Sequence, residues 1–400
     1  MNKIVFPLVS DDLEHKLNTD VNYNPYILEV LQGKKSMHIM HTLDAQPPIK
    51  YTAKDRLLDL SKQKKYERRT YEYKPALHWG QLKLFLSEVE FLTKVYQLAS
   101  SQSKEIWFVY AGAAPGHHIK FLSELFPTVH FELYDPNKFV VKDSVMIKTH
   151  VQFFMDDDAK YWAEQKDKFV VFCSDIRTEP ATHENIVRNM NMQLEWWKIM
   201  NPELSMFKFR LPWELGTTEY PDGEIYIQAY PGPTSSETRL ICKKNAELKM
   251  YDNTQYEDAC FYHNSETRQR KYQTILGNLV LARDGLDMCY DCASFIYIMQ
   301  EYLKVMGLPM TSLRKLLNKI QQEISFGRDT VLSHSIKHFS ESLTTLSKLA
   351  YIPCLNDKCK ICISGHQFID PNHRGISKAT IENEARQKKK TLQDKDSSDL

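Results

Sequence analysis

The chain has 400 residues, of which 42% are hydrophobic and 12% aromatic, and this composition excludes wholesale disorder. Its 52 Lys and Arg residues balance 51 Asp and Glu residues, and the net charge of +1 excludes a protein that binds nucleic acid by bulk charge alone. The 13 glycines and 17 prolines exclude a collagen-like or linker-dominated architecture.

Residues 1–75 are polar and irregular, and we predict an extension that wraps or precedes the main fold, with some helix near Ala53–Lys62. The basic run Lys62–Arg69 is more typical of a solvated face than of an RNA contact. Apolar residues at helical spacing then predict an amphipathic helix over Gln81–Ser100. We expect the main fold to begin at this helix.

Strands and helices alternate over the middle of the chain. Helices are predicted over Ile119–Phe126 and Asn185–Met200. The hydrophobic runs that predict strands are Glu105–Ala111, Val129–Tyr134, a segment within Ser144–Phe154, Lys168–Cys173, Leu204–Phe209, Gly223–Ala229 and Thr238–Lys243. This alternation predicts an α/β fold with a doubly wound, mostly parallel sheet.

The pattern changes to helices beyond Thr267, and the charged end of the chain predicts a disordered tail. The predicted helices are Tyr272–Ala282, Ala293–Met306, Leu313–Ile324 and Val331–Leu349. No apolar run approaches the roughly 20 residues that a membrane span needs. We therefore expect no membrane contact and a reducing environment with free thiols.

Two groups of cysteines are closely spaced. Cys289 and Cys292 form a C-x-x-C pair without a second such pair, and we interpret them as core residues. Near the end of the chain, four potential soft ligands are Cys354, Cys359, Cys362 and His366. Structural zinc there is the weaker alternative to free thiols, because the spacing fits no established zinc pattern.

A glycine-containing turn, Tyr110–His118, joins a predicted strand to a predicted helix, where ligands of open α/β sheets bind. Gly112 and Gly116 allow a ligand to approach the backbone closely. The turn lacks the dinucleotide fingerprint, because Ala114 stands where its second glycine belongs. It therefore favours a nucleoside site over a pyrophosphate cradle, with a plain strand–helix turn as the alternative.

Asp135 ends the next predicted strand, where a carboxylate can accept hydrogen bonds from both ribose hydroxyls of an adenosyl group. The alternative is an aspartate that caps a turn. Together with the glycine turn, Asp135 favours S-adenosylmethionine, whose sulfonium tail needs no phosphate cradle. Met155, after the third strand, is then predicted beside the adenine, with a core position as its alternative.

Three further polar residues fall in or beside predicted strands: Asp175, Lys208 and Glu237. Lys208 lies inside an apolar strand, and a buried lysine is costly unless it is paired or functional. The alternative is a side chain that extends along the apolar surface to solvent. Asp175 and Glu237 alone would fit a cap and a solvated turn.

Several segments match a known family in order along the chain. They are Gly80–Lys94, Tyr110–Leu122, Phe172–Arg177, Glu179–Pro180, Met200–Trp213, Ser235–Leu240 and Gln255–Asp258. With these motifs the chain resembles the poxvirus cap-specific mRNA (nucleoside-2′-O-)methyltransferases, which also serve as the small, processivity subunit of poly(A) polymerase. The resemblance covers about Gly80 to Met306. It implies a Rossmann-like S-adenosylmethionine-dependent methyltransferase fold with a C-terminal helical extension.

The resemblance implies four regions. Residues 1–75 would be the irregular extension, and residues 76–265 the methyltransferase domain. Residues 266–350 would be a helical part on or beside that domain. Residues 351–400 would hold the Cys/His segment and the charged tail.

Catalytic residues implied by the resemblance are Lys83, Asp175, Lys208 and Glu237. A ribose 2′-hydroxyl is a poor nucleophile, and a Lys208 amine with a pKa lowered by burial and by Lys83 would accept its proton. Asp175 and Glu237 would orient the two lysines. No metal is required.

The resemblance also assigns binding residues. Cofactor contacts would be Gln81, Tyr110, Gly112, Gly116, Asp135, Asn137 and Met155, with Asn137 in place of the family's arginine. Trp213 would stack on 7-methylguanine, with a plain core aromatic as its alternative, and Glu257 would accept the N–H groups of the guanine. The remaining cap or RNA contacts would be Arg210, Leu211, Pro212, Glu214, Ser235 and Ser236.

The function implied is transfer of a methyl group from S-adenosylmethionine to the 2′-hydroxyl of the first transcribed nucleotide of 7-methylguanosine-capped mRNA. The alternatives are an RNA-binding processivity subunit, paired with the catalytic subunit of a viral poly(A) polymerase, and a 2′-O-methyltransferase that acts on uncapped RNA. The resemblance also implies a large cytoplasmic DNA virus as the source. The protein would then act in the host cytoplasm at the viral factory, with packaging in the virion as a further alternative.

Overall fold

A central sheet of seven strands organises the computed structural model, which describes residues 49–67, 77–178, 182–231, 234–268, 270, 272–273 and 290–324. The strands are β2 (Ile106–Ala111), β3 (Val129–Tyr134), β4 (Ile147–His150), β5 (Phe169–Ser174), β6 (Leu204–Phe209), β8 (Glu224–Tyr226) and β9 (Thr238–Lys243). Their order in the sheet is β4-β3-β2-β5-β6-β9-β8.

Strand direction decides where the functional groups gather. Strands β2 to β6 run parallel, whereas β9 is antiparallel to β6 and pairs Lys208 with Arg239. The carboxyl ends of the parallel strands therefore share one edge with the amino end of β9. This is the Rossmann-like fold of S-adenosylmethionine-dependent methyltransferases, and its switch point lies between β2 and β5.

Helices cover both faces of the sheet. They are α1 (Leu77–Ala99), α2 (Ile119–Leu125), α3 (Asp156–Glu164), α4 (His183–Met200), α5 (Asn253–Tyr262), α6 (Tyr290–Val305) and α7 (Leu313–Ile324). The last two form the C-terminal helical extension, and α6 packs on α1. None of the helices described in these ranges is long and apolar enough to cross a membrane.

Two apolar cores lie on opposite faces of the sheet. One is enclosed by α1, α2, α6 and α7 and includes the fully buried Phe85, Phe108 and Phe295. The other is enclosed by α3, α4 and α5 and includes Trp196 and Tyr256. Burying each such side chain is worth roughly 1.5–3 kcal/mol, so the two cores hold the sheet and its site-bearing edge rigid.

The helix predicted near Ala53–Lys62 is wrong beyond a short 3₁₀ turn, Ala53–Arg56. The following backbone pairs with the edge strand β8 instead: Leu58 N donates to Ile225 O at 2.8 Å, and Ile227 N donates to Arg56 O at 2.8 Å. Pairing satisfies an edge that would otherwise expose unpaired backbone groups.

Other predicted elements differ from the structure. Tyr272–Gln273 is not helical but forms strand β11, which pairs in parallel with β1 (Ile49–Lys50). An antiparallel pair was not predicted, namely β7 (Thr217–Pro221) with β10 (Leu248–Asp252). The predicted helix Val331–Leu349 and the charged tail lie outside the described residues, and the division of the chain into four regions stays a prediction.

Candidate active site

Two lysines and two carboxylates from distant parts of the sequence meet at the functional edge of the sheet. Lys83 Nζ lies 2.8 Å from Glu237 Oε1. Lys208 Nζ lies 3.3 Å from Asp175 Oδ1 and 3.7 Å from Glu237 Oε2. All four side chains are between 16% and 22% exposed. They are therefore sheltered but still open to a ligand.

The fold explains this meeting. Asp175 directly follows β5, Lys208 lies near the end of the neighbouring β6, and Glu237 directly precedes β9. Lys83 comes from α1, which packs on one face of the sheet and brings this lysine to Glu237. Each residue sits at a strand end or on a packed helix, so backbone pairing fixes its position before any ligand arrives.

Arg239 is a fifth member of this group that the sequence reasoning missed. Its side chain is 3% exposed, its Nη1 donates to Asp175 Oδ1 at 2.7 Å, and its Nη2 lies 3.8 Å from Glu237 Oε1. Arg239 could have been found from the sequence, because it is a charged residue inside an apolar strand, as Lys208 is. We call these five residues the charged cluster: Lys83, Asp175, Lys208, Glu237 and Arg239.

The cations hold the two carboxylates ionised. Burial works to raise the pKa of Asp175, but Arg239 and Lys208 lower it below its ordinary value. Burial opposes ionisation of Glu237 too, yet Lys208 and Lys83 hold its pKa well below its ordinary range. Gln228, also missed from sequence, donates to Glu237 Oε1 at 3.0 Å and fixes that carboxylate further.

The glycine turn after β2 approaches the chain that follows β5. Gly112 has a φ of +85°, and a Cβ there would lie 2.8 Å from Ile176 N. Gly116 has a φ of +68°. Only glycine adopts these conformations without strain. The turn thus brings bare backbone next to Asp175 and the charged cluster.

Asp135 closes this backbone cradle. Its Oδ2 accepts from Ala114 N at 3.2 Å, and its Oδ1 accepts from Asn137 N at 2.8 Å and Asn137 Nδ2 at 2.9 Å. Asn137 therefore binds Asp135. A carboxylate has about four acceptor positions, so one remains on Oδ2. The glycines leave room beside the backbone, and Asp135 offers one acceptor there, so the cradle fits an adenosyl ligand.

The other predicted cofactor residues lie around this cradle. Gln81 is buried on α1, and its Oε1 lies 2.8 Å from Nδ1 of His118, the last residue of the glycine turn. Tyr110 is fully buried at the end of β2. Met155 is 57% exposed at the start of α3.

The predicted cap residues divide by exposure. Trp213 is 47% exposed, with the Arg210 guanidinium 4.3 Å from its ring centroid. Burial, helped by Asp258, raises the pKa of the half-buried Glu257, and Arg210 opposes this. We call Arg210, Trp213 and Glu257 the predicted cap surface. Leu211 and Pro212 are buried, so Leu211 contributes to the core instead of presenting its side chain to RNA.

The remaining predicted RNA contacts lie near the charged cluster and the predicted cap surface. Ser235 Oγ accepts from Glu237 N at 3.2 Å and helps to orient that residue. Ser236 O lies 2.6 Å from the hydroxyl of Tyr256, a buried tyrosine that sequence reasoning missed. Glu214 is exposed, with its Oε2 3.4 Å from His183 Nε2.

No group of His, Cys, Asp or Glu within the described part of the chain could hold a metal ion. Cys292 is buried in the core cluster of α6, and its neighbour Cys289 lies outside the described residues. The possible zinc ligands Cys354, Cys359, Cys362 and His366 also lie outside them.

Comparison with known proteins agrees with the family resemblance of the sequence motifs. A family model described as the poly(A) polymerase regulatory subunit matches residues 50–314. The chain is similar to the cap-specific mRNA (nucleoside-2′-O-)-methyltransferase of fowlpox virus (strain NVSL), with 27% identity over 246 residues, covering 56% of this chain and 76% of that protein. The protein of the same description from myxoma virus (strain Lausanne) is 27% identical over 220 residues, covering 48% and 62%.

A match among solved structures is distant. The bluetongue virus VP4 RNA-capping protein aligns with a TM-score of 0.34 and 11% identity, over 55% of this chain and 38% of that one. The chain also spans less than two thirds of the myxoma virus protein.

Proposed function

The chain belongs to the family of poly(A) polymerase regulatory subunits, and on that premise we propose that it methylates the ribose 2′-hydroxyl of capped mRNA. The methyl group would come from S-adenosylmethionine, and the target would be the first transcribed nucleotide. One observation carries the proposal: Lys83, Lys208 and two carboxylates converge within 3.7 Å beside a backbone cradle. They are the residues that the family resemblance of the sequence implies as catalytic.

Cofactor binding falls to the cradle. Gly112 and Gly116 would allow the adenosyl group to approach the backbone, and the remaining acceptor of Asp135 would bind a ribose hydroxyl. Bound S-adenosylmethionine supplies an electrophilic methyl group, so the chain has only to position and deprotonate the hydroxyl that receives it.

Within the charged cluster, Lys208 is the cation best placed to handle that proton. Lys83 and Arg239 contact the carboxylates at 2.8 Å and 2.7 Å, whereas Lys208 contacts the same carboxylates at 3.3 Å and 3.7 Å. Its two partners are thus already engaged by closer cations. The cluster holds three cations and two carboxylates, so loss of one proton balances its charge. We assign Lys208 Nζ as the general base for the 2′-hydroxyl.

Cap recognition falls to the predicted cap surface. Trp213 offers a half-exposed aromatic face, and a methylated, positively charged guanine gains cation–π attraction on such a face. Glu257 would accept the N–H groups of the guanine edge. Because Arg210 stacks on Trp213, it is positioned to contact the triphosphate or the first nucleotides.

Labelled S-adenosylmethionine and matched capped and uncapped RNAs test the proposal. We expect label on the first ribose of capped RNA, and a fall of about 10²-fold or more for Lys208→Ala. Lys94→Ala is the control, because Lys94 lies about three turns of α1 beyond Lys83 and its Nζ contacts the Tyr226 ring and not a carboxylate of the cluster. Unchanged activity of Lys208→Ala would contradict the proposal. Equal transfer to uncapped RNA would favour the uncapped-RNA methyltransferase instead.

The family match also favours a second role, as processivity partner of a poly(A) polymerase catalytic subunit. This role needs RNA binding but no methyl transfer. Co-purification with that subunit and tail-length assays test it, and Lys208→Ala should leave tail length unchanged. If the chain neither binds the subunit nor lengthens tails, the second role is excluded.

A further inference from the structure

A buried histidine links the cofactor cradle to the helix that carries Lys83. The His118 side chain is 2% exposed and directly precedes α2. Its Nδ1 lies 2.8 Å from Gln81 Oε1, and its Nε2 lies 2.6 Å from Glu88 Oε2. Glu88 is completely buried. A carboxylate and a histidine are expensive to bury, so a contact kept at this cost points to a role.

The contact fixes which way the Gln81 amide faces. Because Gln81 Oε1 lies against a histidine nitrogen, that nitrogen must donate and the amide oxygen must accept. The two N–H donors of the same amide then point away from His118. Glu88 places a carboxylate oxygen 2.6 Å from the other ring nitrogen, so the imidazole lies between two side chains of α1.

His118 and Gln81 lie close in sequence to the cradle and to the charged cluster. His118 is two residues beyond Gly116 of the cradle, and Gln81 is two residues before Lys83 of the charged cluster. Gln81 and Glu88 lie on the same helix about two turns apart, so one imidazole can contact both. The Glu88–His118–Gln81 contact is thus a polar link between the cradle and the buried face of α1.

We propose that His118, held by Glu88, is a positioning residue that aims the Gln81 amide N–H groups at an acceptor on bound S-adenosylmethionine. The inference rests on the proposed function, because it assumes that the cradle binds this ligand. It adds a specific claim: cofactor affinity depends on a buried ring that does not itself touch the cofactor.

Calorimetric titration of S-adenosylmethionine into the full chain tests this without measuring activity. Two variants, each combined with Glu88→Gln so that no carboxylate is left buried alone, separate the contacts of the ring. His118→Asn places a donor where Nδ1 was and keeps the contact with Gln81. His118→Gln reaches towards position 88 and loses that contact. We expect affinity within about twofold of Glu88→Gln for the first and about tenfold weaker for the second.

A single near-isosteric variant gives a second measurement. Gln81→Glu keeps an acceptor for His118 but removes the N–H donors, so it should weaken binding by about tenfold or more while the melting temperature without ligand stays within a few degrees. Equal affinity of the two His118 variants, or full affinity of Gln81→Glu, would overturn the inference. If the unaltered chain binds no S-adenosylmethionine, the proposed function itself is contradicted.

Discussion

The charged cluster and the predicted cap surface lie at the same edge of the sheet but are built differently. Every side chain of the cluster has a charged partner within 3.3 Å, and Arg239 is 3% exposed. On the cap surface, Trp213 is 47% exposed and Glu257 is half-buried. The region expected to do chemistry is therefore organised in advance, whereas the region expected to bind the cap is left open to its ligand.

The largest effect should follow from removing the buried cation of the cluster. Arg239→Met leaves Asp175 and Glu237 without their shared guanidinium, which should cost about 3–5 kcal/mol of unfolding free energy. Methyl transfer should fall by about 10²-fold or more, because the carboxylates no longer hold the lysines in place. Urea unfolding and the transfer assay measure the two effects.

Arg210→Met is the matched control on the cap surface. Arg210 stacks on Trp213, and losing that stacking should cost less than about 1 kcal/mol of unfolding free energy. Equal destabilisation by the two substitutions would remove the distinction between an organised and an open region.

A second prediction concerns the packing around the cradle, which lies next to the charged cluster. Gly112→Ala places a Cβ 2.8 Å from Ile176 N at a φ of +85°, so backbone must move, at a cost of about 1–3 kcal/mol. Gly307→Ala has a similar φ of +65° but open space around the new Cβ, and should cost about 1 kcal/mol. Thermal melting compares the two, and S-adenosylmethionine titration should show weaker binding for Gly112→Ala alone.

Sequence patterns predicted the parts of this molecule that are buried. The hydrophobic runs of β2, β3, β5, β6 and β9 were predicted within a residue or two, because these central strands are covered on both faces and are mostly apolar. The antiparallel pair β7–β10 was missed because most of its residues are exposed and polar. Helix α3 was missed because it opens on three aspartates, Asp156–Asp158, which favour a helix start without showing an apolar stripe.

The residues of the candidate site were also predicted only in part from the sequence. The family motifs supplied Lys83, Asp175, Lys208 and Glu237, but their residue roles stay predictions until tested. Arg239 was missed because a lone arginine in a strand does not reveal its partners, which come from the ends of other strands. Long-range contacts of this kind depend on the strand order, and strand order was not read from sequence.

On the cap surface, we expect a substitution to change binding and not stability. Trp213→Ala removes a half-exposed ring, so the unfolding free energy should change by less than about 1 kcal/mol, while affinity for a 7-methylguanosine cap analogue should fall by about tenfold. Affinity for the unmethylated analogue should change much less, because it carries no positive charge. Fluorescence titration measures both. Leu215→Ala, at an 89% exposed neighbour, should leave both affinities unchanged.

The smallest effect should distinguish the two regions by the sign of their pH dependence. Asp175 and Glu237 have folded pKa values below their ordinary values, so their contribution to stability is present at neutral pH and is lost as pH falls through those lowered values. Glu257 has a raised pKa because of burial, so its contribution has the opposite sign and is lost as pH rises through the raised value.

Replacing each carboxylate by its amide should therefore change the pH dependence of the unfolding free energy in opposite directions. Asp175→Asn should be most destabilising at neutral pH, and its deficit should shrink as the pH approaches the lowered pKa of the carboxyl it replaces. Glu257→Gln should slightly stabilise the chain at neutral pH and lose that advantage below the ordinary range of glutamate, where the native carboxyl is protonated in both states. Urea unfolding from about pH 2 to pH 8 measures both profiles, because the pKa of Asp175 in the folded chain lies below the ordinary value for aspartate. Profiles of the same sign would mean that Glu257 is held as a partner of Arg210, and the cap surface would then be organised in advance like the cluster.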